Sequence, residues 1–380
     1  MIVQSTALLD YPRIKSHSGG MDFLRGILSI WVMVAHLAIW AGVAGQQIPE
    51  VILGVMKTLG IFFQPVGETH PAVVGFIVLS GYCIHRNGAR RDQFSTLSYG
   101  VRRAFRIMPT YLLASLVGAA GFVYLAGVDL NAGRAITGTQ QISMAGLLVK
   151  LLGISAFIPK LHYLSFQGNA PLTTVMVEIW LYVFYAIAIR YLIRGLHDAM
   201  LWRIIAGVWC FGLIMVCGHT EYYSWWHNGS LIAFLPLWWL GAMAVHKSSN
   251  RIFLLSWKWM ILCYLLFTLL IESGILHGAL QFLAVESRKM VLAVLFAQLI
   301  VFIDNARCRL IDWGAKIGQA SYSIYAYHAP VLAVALLLTL PWWLVPWLVL
   351  AMAIGVYLTF ELPLTAAGRK LAKKIGKFAM

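Results

Sequence analysis

The sequence predicts an all-α integral-membrane fold of about ten transmembrane helices with both termini cytoplasmic. Three observations predict it. Of 380 residues, 61% are hydrophobic and only 11% charged, and mean hydropathy is +0.79; a soluble domain is roughly half apolar and a quarter charged. Ten apolar runs approach the roughly 20 residues needed to cross about 30 Å of hydrocarbon. Finally, the basic residues divide unevenly between alternate loops, as they do across a bilayer.

The runs, in order, are about 23–44, 71–87, 107–128, 171–193, 199–217, 230–246, 257–275, 289–304, 318–340 and 342–361. The second is short and carries Gly75, Ser80 and Gly81, a place for a tilt or a break. Segments 51–64 and 142–158 are apolar but contain Lys57 and Lys150, which suits interfacial or re-entrant helices better than spans. With the N-terminus cytoplasmic, 23 of the 29 basic residues fall inside. Lys57, Arg134, Lys150, Lys160, Arg288 and Lys289 remain outside. The chain reads as one membrane domain over 1–380, with helices over 22–363 and a basic cytoplasmic tail over 364–380.

Several function classes drop out. A net charge of +15 follows from cytoplasmic loops and scarce acids, and no nucleic-acid-binding motif accompanies it. The five cysteines form no CxxC pair and read as buried free thiols, with no metal site. Tryptophans in "SWWH", "PLWWL", "SWKW" and "LPWWLVPW" suit interfacial belts. No internal repeat points to an inverted-repeat transporter.

Against this apolar background the polar residues stand out. In "MDFLRGILSIWVMVAH", Asp22 and Arg25 are one turn apart and can pair. Arg25 and His36 are eleven residues apart, so they share a helix face about 16 Å apart along the axis. Ionisable groups at membrane depth are candidates for a site, and imidazole suits base or nucleophilic work near neutral pH. Arg102, Arg103 and Arg106 begin the third run, the last two as an R-x-x-R pair. Glu178 lies inside the fourth run and needs a partner. Ser80, His85, Tyr322, Tyr325, His328 and Glu361 are further polar islands.

In this order the islands resemble the membrane-bound acyltransferase-3 family of O-acyltransferases. "FLRGILSIWVMVAH" matches its L-R-G element and histidine-ending helix, "FIVLSGY" its F-x-x-S-G-F/Y, and "RAFRIMPTY" its R-x-x-R-I-x-P-x-Y. "TTVMVE" is a weaker match to W-S-L-x-x-E, with Thr173-Thr174 in place of Trp-Ser. "SYSIYAYHAP" and "ELP" complete the set, which covers residues 22–363.

The resemblance implies transfer of an acyl group, most often acetyl, from cytoplasmic acyl-CoA to a hydroxyl of a surface glycan, by an enzyme of the inner (cytoplasmic) membrane. On it, His36 and Glu178 are the catalytic candidates. Arg25, Arg102, Arg103 and Arg106 are candidates for the CoA phosphates, and Asp22, Ser80, Tyr322, Tyr325 and His328 support them. His36 is open to two roles, general base or acyl-accepting nucleophile, with Glu178 orienting its ring. A succinyl-CoA donor is an alternative, with His70, His85 or His328 as an added cation. A proton-coupled transporter is the competing class.

Overall fold

The computed structural model describes residues 19–63, 68–88, 95–193, 198–245, 255–306 and 308–378. Every regular element among them is a helix. The chain runs through α1 (Gly19–Val43), α2 (Glu50–Phe63), α3 (Pro71–Gly88), α4 (Thr96–Val128), α5 (Leu130–Thr137) and α6 (Met144–Leu152). Three short 3₁₀ turns then lead to α7 (Leu172–Ile193), α8 (Asp198–Cys217), α9 (Tyr223–Gly229) and α10 (Leu231–Met243). The last elements are α11 (Trp257–Glu272), α12 (Gly278–Asn305), α13 (Arg309–Gln319), α14 (Ser321–Leu337), α15 (Val345–Val356) and α16 (Leu362–Phe378).

Among the described residues, five helices are long and apolar enough to cross a membrane: 19–43, 96–128, 172–189, 200–217 and 345–376. A sixth is counted if α12 and α13, which meet at 114°, form one bent span. The apolar helices of α3 and α14 are shorter than that length. The molecule is thus an all-helical, multi-pass membrane protein.

Several boundaries differ from the sequence expectation, each for a local reason. The run at 318–340 is interrupted at Ala320, between α13 and α14. The α12 helix begins at Gly278, well before residue 289, so Arg288 and Lys289 lie within a helix and are buried. Their charges are met there: Arg288 bonds Glu68, and Lys289 Nζ lies 2.6 Å from Glu286, which also approaches His227 at 3.1 Å. Residues 362–378, expected as a tail, continue as α16. A π-helical turn, Tyr357–Glu361, joins it to α15.

Two tryptophan clusters are also placed differently. Trp226, Trp238 and Trp239 are fully buried, in helices whose neighbours surround them. Trp257, Trp259, Trp343 and Trp347 are exposed, as interfacial residues are. The cysteines are free as expected, but none is fully buried, and Cys210 and Cys308 are exposed.

The core lies where α3 and α10 cross, with α7 and α12 beside them. Small residues permit the crossing. A Cβ on Gly81 would sit 1.9 Å from Trp238 O, and one on Gly241 would sit 1.9 Å from Val78 O. Helices in lipid gain little from apolar burial against each other, so close backbone packing carries much of their association. The α3 helix therefore runs unbroken through Gly75 and Gly81; these glycines serve contact rather than flexure.

Candidate active site

One face of each of five helices converges on a cavity of about 790 Å³. From α1 comes Arg25, and from α4 come Arg103 and Arg106, one turn apart. Arg102 is exposed and does not line the cavity, because consecutive helical residues point about 100° apart. Asp22 pairs with Arg25 at 2.9 Å as its spacing predicts. Arg103 lies over the rings of Tyr99 and Tyr182 at 5.7 and 5.5 Å, and its Nε is buried without a hydrogen-bond partner.

The α7 helix contributes Thr174, Glu178 and Tyr182. These are four residues apart, so they form a polar stripe along an otherwise apolar helix. Glu178 accepts a hydrogen bond from Tyr182 Oη, which accepts from Ser80 Oγ at 3.1 Å; Ser80 in turn accepts from Trp238 Nε1 at 3.3 Å. Three guanidinium groups therefore face the cavity against one carboxylate, which favours an anion.

The far end is formed by α14. Tyr322 Oη donates to Ile107 O at 3.0 Å. Tyr325 Oη is 2.6 Å from Thr174 Oγ1 and 3.2 Å from Pro171 O. Thr174 also reaches Pro171 O, at 2.9 Å. Two hydroxyl protons serve three contacts, so one hydroxyl can turn without stranding the other.

Beyond Tyr325, whose ring packs on His328 with centroids 5.5 Å apart, lies a pair of histidines. His36 Nδ1 is 2.9 Å from His328 Nε2, and the rings are nearly parallel at 13°. Trp40 stacks on His36 at 4.7 Å. His328 Nδ1 is 2.6 Å from Tyr325 O. A carbonyl only accepts, so His328 carries its proton on Nδ1. With both rings neutral, His328 Nε2 then accepts and His36 Nδ1 donates, leaving His36 Nε2 with a free lone pair. The arrangement fixes one tautomer, as a carboxylate fixes the histidine of a triad.

The structure thus brings together Arg25, Arg103, Arg106, Glu178, Ser80, Tyr322 and Tyr325 around one cavity, with His36 and His328 at its end. The partner of His36 is an imidazole, and Glu178 bonds Tyr182 instead. Sequence reasoning missed Thr174 and Tyr182, although their four-residue spacing from Glu178 was available. Glu361, the last polar island, accepts from Ser323 Oγ at 2.6 Å. His85 is buried against Tyr185 Oη at 3.2 Å.

Outside the spanning helices, the loop from α6 to α7 is tied by Lys150. Its Nζ donates to Phe166 O, Asn169 O and Ser165 O at 2.6, 2.8 and 3.3 Å. Burial pushes its ammonium down to about 7, while the three acceptors match the three N–H groups of the charged form.

Compared with known proteins, residues 18–362 match the family model described as an acyltransferase domain. No curated protein and no solved structure matches the chain.

Proposed function

This chain belongs to the acyltransferase-3 family of membrane acyltransferases, and on that premise we propose an acetyl-CoA-dependent O-acetyltransferase acting on a surface glycan. The observation that carries the reading is the cavity, which joins three arginines to the hydroxyls beside the His36–His328 pair. Its arginine end faces the cytoplasm of the inner membrane, with both termini there and further helices completing ten spans. The asymmetry of basic residues supports that orientation.

Arg25, Arg103 and Arg106 hold the donor's phosphates, where guanidinium forks bind oxygens bidentately. The pantetheine arm follows the cavity past Glu178 toward Tyr325. His36 lies about 16 Å along α1 from Arg25, which suits delivery of a thioester at depth. His36 Nε2 takes the proton of the acceptor hydroxyl as its oxygen attacks the thioester carbon. The new C–O bond forms, the C–S bond breaks, and the imidazolium returns the proton to the departing thiolate. In the two-step variant, Nε2 takes the acyl group first and the acceptor oxygen then displaces it. His328 supports either route by holding the proton on His36 Nδ1. The hydroxyl of Tyr325 or Thr174 can turn to polarise the thioester carbonyl.

The arginines give a graded expectation. Arg103→Ala and Arg106→Ala each raise KM for acetyl-CoA about tenfold, the loss of one charge-assisted contact, while exposed Arg102→Ala stays within about twofold. Steady-state kinetics on purified protein checks this. Equal effects at all three positions would remove the cavity as the phosphate site.

The function itself is tested with labelled acetyl-CoA and succinyl-CoA, offered with cell-surface polysaccharide from the producing cells. Labelled glycan from acetyl-CoA, absent with His36→Ala, is the expected result. Transfer from succinyl-CoA alone would reassign the donor. Absence of any transfer, with solute flux into proteoliposomes, would favour the transporter.

A further inference from the structure

Pro330 lies inside α14, two residues beyond His328. Proline has no amide N–H, so the carbonyl four residues earlier, Ala326 O, loses its helical donor. In a membrane protein such a carbonyl needs a partner from elsewhere in the chain. Asn169 supplies it: its Nδ2 donates to Ala326 O at 3.0 Å, and the side chain is fully buried. We propose that Asn169 is a positioning residue for the histidine pair, replacing the amide that Pro330 removes. This rests on the reading of His36 Nε2 as the reacting atom.

The surroundings of Asn169 are built to hold it there. Gln167 and Gly168 have φ values of 41° and 79°, the left-handed region that glycine enters without strain. A Cβ on Gly168 would lie 2.0 Å from Gly118 O of α4, so the turn sits directly on that helix. Lys150 donates to the Asn169 carbonyl at 2.8 Å and to Phe166 O at 2.6 Å. Asn169 Nδ2 also reaches Ala114 O of α4 at 3.4 Å. A few residues on, Pro171 O accepts from Tyr325 Oη at 3.2 Å.

The loop therefore grips α14 at Tyr325 and Ala326, in the turn that leads into His328. The neighbouring carbonyl, Tyr325 O, is the one that accepts from His328 Nδ1. The orientation of the His328 ring, and through it the proton on His36 Nδ1, depends on this turn keeping its shape. Lys150 and Asn169 act at one and two removes from the imidazole and touch neither substrate nor reacting atoms.

The test uses full-length protein in detergent micelles with ¹⁵N-labelled histidine. The His36 resonance is identified by its loss in His36→Gln. Ring nitrogen shifts report which nitrogen bears the proton, with no substrate present. The expected wild-type signal is the Nδ1–H form. In Asn169→Ala it becomes a mixture of tautomers, and kcat with acetyl-CoA falls about 10- to 100-fold while KM for acetyl-CoA is unchanged.

Pro330→Ala restores an amide facing Ala326 O. In that background Asn169→Ala should therefore cost less than about threefold in kcat. This pairing also keeps the test open if the single variant does not fold. An unchanged Nδ1–H signal in Asn169→Ala, or equal losses in both backgrounds, overturns the proposal. A tautomer shift without turnover by the wild type would leave the positioning role standing and remove the acetyltransferase reading.

Discussion

His36→Ala is expected to lower acyl transfer by about 10³-fold or more, the scale on which positioned general bases act, while acetyl-CoA still binds. The two halves follow from where the groups lie. The arginines that would hold the phosphates line the cavity on α1 and α4, and none of them contacts His36 among the interactions described. Equilibrium binding of acetyl-CoA by calorimetry should therefore stay within about threefold of wild type. Loss of binding together with turnover would mean that His36 shapes the donor site. Rapid quench with labelled acetyl-CoA, without acceptor, then separates the two chemistries. Label retained on wild-type protein and absent from His36→Ala identifies an acyl-imidazole, whereas unlabelled protein identifies a base. His328→Gln offers a milder comparison, since it removes the ring that fixes the tautomer but spares Nε2. It should cost about 10- to 100-fold in kcat, measured in the same assay.

The second large effect concerns folding. Gly81→Ala places a methyl 1.9 Å from a backbone oxygen, Trp238 O, and 3.1 Å from Ala242 N. Neither neighbour is a side chain that could swing aside, so α3 and α10 must separate. Overpacking commonly costs about 1–3 kcal/mol, and a rigid backbone contact in the molecular core belongs at or above the upper end. Thermal unfolding in detergent, followed by monodisperse yield on gel filtration, should show a clear drop in the midpoint or no recoverable protein. Gly207→Ala is the control, since a Cβ there meets nothing within 4 Å. Equal midpoints for the two variants would mean that the crossing can widen at little cost.

Much of the candidate site was legible because helical spacing is rigid. The shared face of Arg25 and His36, the Asp22–Arg25 pair and the common face of Arg103 and Arg106 all follow from residues per turn. What spacing cannot supply is a partner from a distant helix. His328 is 292 residues from His36, and nothing local marks it as the closer imidazole over His70 or His85. Glu178 was expected to meet a histidine, yet its bond is to Tyr182, one turn along the same helix. Burial of Arg288 and Lys289 was hidden for a related reason. Their neutralising partners Glu68 and Glu286 matter only once α12 is seen to begin at Gly278. Composition likewise placed tryptophans in interfacial belts, since hydropathy does not distinguish a lipid-facing indole from one packed among helices.

The π-helical turn at Tyr357–Glu361 makes the length of that stretch as consequential as its residues. A π turn holds one residue more than the α-helical turn it replaces. Deleting any one of Tyr357 to Phe360 would restore ordinary winding and rotate everything downstream by about 100°. Gly368, whose Cβ position is filled by Phe105, and Ala372, whose carbonyl accepts from Ser98 Oγ at 2.6 Å, would both leave the face they present to α4. A single-codon deletion there is thus a change of phase for the whole C-terminal helix, far costlier than any conservative substitution in the same five residues.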